Sequence, residues 1–176
     1  MATSTFQGPV RSLNGFYTQG PGTVINIPDA TNTITLDVPT YAGRVIRTND
    51  ATLVITLPGL NASADPASAG PGSDPNSPNN MGVTFFFEVQ TAATTWKIIT
   101  AASQYMVGQV FLQGDTNAVK AFTADGTATR SINLDGTTKG GVTGSVVSLT
   151  ALNSTQWLVG GSLIGSGAIA TPFATS

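Results

Sequence analysis

The chain has 176 residues, enough for one domain with a substantial core, and 40% of them are hydrophobic. Charged residues make up only 9%, against about 25% in an average soluble protein, and the net charge of −2 comes without a basic run, which argues against electrostatic binding to nucleic acid or to an anionic membrane. Cysteine and histidine are both absent, which excludes disulfides, thiolate metal sites, a cysteine nucleophile and the commonest general base near neutral pH.

Residues 1–22 read as an extended N-terminal arm. Gly8, Pro9, Gly15, Gly20, Pro21 and Gly22 oppose regular structure there, while Phe6, Phe16 and Tyr17 are expected to dock on this domain or on a neighbouring subunit. The opening MATSTFQGPVRS lacks the basic-then-apolar order of a signal peptide, and no apolar run in the chain reaches the roughly 18–20 residues of a membrane span. Residues 23–176 read as a single β domain. Val24, Ile25 and Ile27 lead into the Pro28-Asp29 turn, and Thr31–Val38 alternates apolar and polar positions until Pro39. Arg44–Thr48 and Thr52–Leu57 flank Asn49-Asp50-Ala51 and read as a hairpin. The Pro-rich stretch at 58–80 holds five of the ten prolines and reads as a long surface loop inside one domain.

Beyond the loop, Gly82–Gln90 is the most aromatic segment. Phe85, Phe87 and Val89 share one face and Phe86 and Glu88 the other, which predicts apolar surroundings on both sides at Phe86. Trp96–Thr100 follows the polar turn Thr91–Thr95 as a further hairpin arm. Met106–Gln113 and Ala118–Phe122 continue the hairpin pattern across Gly114-Asp115, and Thr129–Leu134 lies between the turn pairs Asp125-Gly126 and Asp135-Gly136. Ser145–Leu152 and Gln156–Ile164 form the clearest hairpin, with Trp157 as its apolar anchor. The tail ends in Pro172 and Phe173, an aromatic in an otherwise flexible context. About ten short strands at spacings near 8–12 residues predict an all-β fold, an antiparallel β-sandwich or barrel-like domain.

Little here points to catalysis. Most of the acidic residues are Asp beside Gly, Pro or Asn, where turn formation accounts for them, and Glu88 is the only glutamate. A glycosidase needs a carboxylate pair, and none is identifiable. No phosphate-binding, nucleophile-elbow or dinucleotide motif is present, and Asp115-Thr116-Asn117 lacks the continuation of a calcium loop. Trp96, Trp157 and Tyr105 could stack on sugars but sit in strand patterns that favour the core. The expectation is a non-enzymatic chain with no cofactor and no metal.

Several segments occur together in the order ATLVITLP, GVTFFFEV, WKIIT, VGQVFL and the closing block GGVTGSVVSLTALNSTQWLVGGSLIGSGAIATPF, spanning about Ala51 to Phe173. In this the chain resembles capsid decoration (cement) proteins and related small β-rich virion proteins of tailed bacteriophages. The resemblance implies a structural protein on the outer surface of the virion capsid. Its partners would be the major capsid protein and further copies of itself, as a homotrimer, with neither nucleic acid nor membrane bound. The candidate contact residues are Phe6, Phe16 and Tyr17 at one end and Pro172 and Phe173 at the other. The alternative is a host-recognition or adhesion module of a phage fibre or spike.

Overall fold

A computed structural model describes residues 24–61, 80–116 and 118–176. The arm residues Phe6, Phe16 and Tyr17, and most of the Pro-rich stretch, therefore lie outside the described residues. The elements, in order, are β1 (Val24–Ile27), β2 (Thr33–Thr35), one helical turn α1 (Val38–Tyr41), β3 (Val45–Thr48), β4 (Val54–Thr56), β5 (Thr84–Val89), β6 (Trp96–Ile99), β7 (Tyr105–Gln113), β8 (Val119–Asp125), β9 (Ser131–Leu134), β10 (Val146–Ala151), β11 (Gln156–Ile164) and β12 (Phe173–Ala174). They form two sheets: a seven-stranded one ordered β1-β3-β5-β10-β11-β7-β8 and a five-stranded one ordered β12-β9-β6-β4-β2. The all-β, sandwich-like expectation is met, but the sheets are mixed and not antiparallel.

The parallel pairs have one origin. The first six strands alternate between the sheets, so β1–β2, β3–β4 and β5–β6 are three stacked rungs. Within each sheet these strands pair parallel, β1 with β3 and β3 with β5 in the larger, β2 with β4 and β4 with β6 in the smaller. The expected hairpins around Asn49-Asp50-Ala51 and Thr91–Thr95 are therefore arches that carry the chain from one sheet to the other. From Val24 to Val45 and from Thr33 to Val54 the chain advances 21 residues (45 − 24 and 54 − 33). The two rungs match in sequence as well: VINIPDATNTITL from Val24 and VIRTNDATLVITL from Val45 are identical at eight of 13 positions. From Val45 to its partner Phe86 the step is 41 residues (86 − 45), because the Pro-rich segment is inserted into this rung connection. Asn80 closes the insertion. Its Oδ1 accepts the Asn61 N–H at 2.7 Å, its N–H donates to the Asn61 carbonyl at 3.1 Å, and its Nδ2 donates to the Gly59 carbonyl at 2.8 Å.

Asp50 ties the arches together. Its carboxylate is buried and accepts the Asn32 N–H of the preceding rung at 2.6 Å, with the Thr52 N–H at 2.8 Å and the Thr52 hydroxyl at 2.9 Å. Pro39 does not simply end a strand as expected. It lies in the first turn of α1, where a missing N–H costs nothing, and Asp37 caps that turn by accepting the Thr40 N–H at 2.8 Å.

The later strands complete both sheets. β10 and β11 form the expected hairpin, pairing Val146 with Ser162 through Ala151 with Trp157, at the centre of the larger sheet. β7 and β8 are likewise antiparallel, as predicted. The core lies between the sheets, where Phe85, Phe87, Trp96, Ile98, Trp157 and Leu163 are almost fully buried. Phe87 of the larger sheet meets Trp96 of the smaller edge-on, ring centres 6.2 Å apart, and Phe85 lies 5.9 Å from Trp157. Each such side chain contributes about 1.5–3 kcal/mol on burial. Trp157 Nε1 donates to Gln104 Oε1 at 3.4 Å, so its polar atom is paired in the core.

Candidate interaction face

Strand alternation places every second side chain of the larger sheet toward the core and the rest outward. The registers Val24↔Val45↔Phe86↔Ser148↔Gly160 and Thr84↔Thr150↔Leu158↔Val107↔Asp125 define two outward rows, and Glu88↔Val146↔Ser162↔Phe111↔Ala121 a third. Val119, opposite Gln113 on β8, points the same way. Val24, Phe86, Phe111, Val119 and Leu158 are between 39% and 62% exposed, and they are five of the six large hydrophobic side chains exposed among the described residues. The sixth, Leu152, lies at the β10–β11 turn. The outward side of the five-stranded sheet carries none of them.

Small residues shape this face. The β7–β11 ladder is interrupted opposite Gly160 and Gly161, and a groove of about 350 Å³ opens there between Phe111 and Leu158, with Gln109, Ser148 and Thr150 along it. Two glycines are required by close backbone approach. Gly108 has φ +124°, and a Cβ on it would lie 2.2 Å from the Val159 carbonyl oxygen; one on Gly161 would lie 2.4 Å from that of Val146.

The face is close to neutral. Arg47 Nε donates to Glu88 Oε2 at 2.7 Å across β3 and β5, the one ion pair among the described residues. The lone glutamate is thus matched by a cation on its own face. Asp125, at the end of β8, directs one oxygen to the N–H groups of Ala128 (2.8 Å), Thr129 (2.9 Å) and Thr127 (3.0 Å), which hold its carboxyl well below the usual carboxylate range. Asp50 and Asp135 follow the same logic. Burial raises both, but hydrogen bonds from Asn32 and Thr52 in one case, and from Lys139, Thr138 and Thr137 in the other, outweigh it and leave both carboxyls lowered. These carboxylates are occupied in turns, the role their sequence neighbours implied. No cluster of three or more Asp or Glu side chains suited to a metal ion occurs among the described residues. No helix among them is long and apolar enough to cross a membrane.

Of the contact residues named from sequence, Phe6, Phe16 and Tyr17 lie outside the described residues. The C-terminal pair is not a loose end. Pro172 is buried, its carbonyl accepting the Asn133 N–H at 2.8 Å, and Phe173 is half-buried against the core as part of β12, opposite Ile132. The edge of the smaller sheet holds this tail because Arg130 N–H and the Ser131 hydroxyl bond to the Ala174 and Ser176 carbonyls, at 2.9 and 2.8 Å. Trp96 and Trp157 are buried and Tyr105 half-buried. The outward residues of the larger sheet had one visible signal in the sequence: Phe86, out of phase with Phe85 and Phe87 in a three-phenylalanine run. The chain matches no protein-family model, and no curated protein or solved structure matches it either.

Proposed function

We propose that this chain is a structural virion protein that decorates and stabilises a bacteriophage capsid by bridging major capsid protein subunits, without enzymatic activity, and that it docks through the outer face of its seven-stranded sheet. The single observation that carries the docking surface is the placement of Val24, Phe86, Phe111, Val119 and Leu158 on that one face. Exposed apolar patches of this kind mark contact surfaces. The phage assignment rests on the resemblance of the segments from Ala51 to Phe173.

The physics of docking follows from the face. Burial of apolar area contributes about 25 cal/mol per Å² before the ordering costs of association. A near-neutral surface loses little of this to salt. Repeated over a shell, small gains at each subunit joint add resistance to internal pressure. A homotrimer suits sites where three subunits meet, since closed symmetry repeats one interface. The test compares particles made with and without this protein: DNA release on heating at a lower temperature in its absence supports cementing, and an unchanged release temperature contradicts it. Copy number relative to the major capsid protein separates this reading from a fibre or spike module, which would be present in tens.

A further inference from the structure

We propose that a second site, at one end of the smaller sheet, binds an acidic sugar. A pocket of about 340 Å³ opens there, with Thr95, Trp96, Lys97, Asn133, Asp135 and Lys139 in its wall. That size suits a small ligand and not an extended chain. Lys97 on β6 stands opposite Asn133 on β9, and Lys139 comes from the loop that follows β9.

Charge singles this pocket out. The chain has only three lysines, and two of them meet here. Both are half-buried, and among the described residues neither pairs with a carboxylate. The third, Lys120, lies over the Phe122 ring, 5.3 Å from its centre. Asp135, in the same wall, offsets one of the two charges but forms no ion pair with either lysine. Its oxygens accept the N–H groups of Thr137 and Lys139, both at 2.8 Å, and the Thr138 hydroxyl at 2.7 Å. The wall therefore carries a net charge of +1 (two lysines less Asp135) with both ammonium groups outside any ion pair among the described residues, which favours an anion.

A second observation restricts what the anion carries. Asn133 Oδ1, on the residue opposite Lys97, is buried with no hydrogen-bond partner among the described residues. Buried polar groups are nearly always paired. It lacks a donor, which a hydroxyl can supply. Carboxylate for the lysines and a hydroxyl for Asn133 describe a hexuronate-like acidic sugar. The pocket belongs to the sheet opposite the proposed docking face, so both sites can be occupied at once.

The experiment titrates the full chain with glucuronate, glucose, inorganic phosphate and a short acidic peptide, following backbone amide shifts by NMR. Glucuronate is expected to shift residues 94–97 and 133–139, glucose and phosphate to bind more weakly, and Lys97→Gln and Lys139→Gln each to weaken glucuronate about tenfold or more. Lys120→Gln is expected to change nothing. The proposal is overturned if glucuronate shifts no residue of the pocket, if glucose or phosphate binds as well, if the peptide alone binds, or if both lysine variants keep wild-type affinity. Unchanged melting temperatures establish that the variants are folded, and Arg in place of either lysine should restore part of the affinity.

Discussion

Asp50 offers the sharpest test of the stacked-rung architecture. It is buried, and its two oxygens accept the Asn32 N–H of the rung before it and the N–H and hydroxyl of Thr52 in its own arch. Asp50→Ala leaves two backbone donors without that acceptor. An unsatisfied buried donor costs about 1–3 kcal/mol, and since Asn32 and Thr52 are themselves exposed the lower half applies, giving about 2–4 kcal/mol for the variant. Asp50→Asn keeps one oxygen acceptor and loses the charge, for about 1–2 kcal/mol. Asp29 occupies the equivalent position one repeat earlier, but its carboxylate accepts only the adjacent Ala30 N–H at 2.9 Å among the described residues. Asp29→Ala is expected to cost under about 0.5 kcal/mol, as an exposed substitution. Urea unfolding followed by tryptophan fluorescence reads all three, because Trp96 and Trp157 are both buried in the native core. Equal stabilities for Asp50→Ala and Asp29→Ala would refute the idea that Asp50 locks one rung to the next.

Replacing residues 62–79 by two glycines should leave the melting temperature within a few degrees, because Asn61 and Asn80 already meet, whereas Asn80→Ala should lower stability by about 1–3 kcal/mol; the opposite ranking in thermal melts would contradict the clasp. Gly108→Ala should destabilise strongly, since its Cβ would meet the Val159 carbonyl oxygen at 2.2 Å; circular dichroism melts indistinguishable from wild type would rule out that packing. Folded pKa values below the unfolded value near 3.9 mean that Asp50, Asp125 and Asp135 stabilise the fold above that pH and lose their contribution as pH falls through the folded values. With no histidine in the chain, melting temperature should stay level from about pH 5 to 8 and fall below about pH 4. Stability undiminished at pH 2 would contradict the sign.

The β character, the hairpins β7–β8 and β10–β11 and the Asp-Gly turns were legible, because alternation and turn chemistry are local. Sheet membership was not. A strand that turns back beside its neighbour and one that crosses to the opposite sheet carry the same alternating pattern, so the arches at Asn49-Asp50-Ala51 and Thr91–Thr95 read as hairpins. The distinguishing signal was the repeat between VINIPDATNTITL and VIRTNDATLVITL, whose 21-residue period implies stacked parallel rungs. The insertion after Leu57 hides the third rung from that period. The exposure of Phe86, Phe111 and Leu158 was not legible, since a strand pattern alone does not tell which face another layer covers. Pro172 and Phe173 read as a free tail because a two-residue edge strand has too short a pattern to recognise.

The most direct test of the docking face is co-sedimentation of the purified chain with capsid shells assembled without it. Wild-type protein should pellet with the shells at both low and high salt. A Phe86→Ser, Phe111→Ser double variant, with wild-type secondary structure and a melting temperature little changed, should remain in the supernatant. Equal pelleting of the two proteins would contradict the assignment of the outer face of the seven-stranded sheet as the surface that meets the capsid.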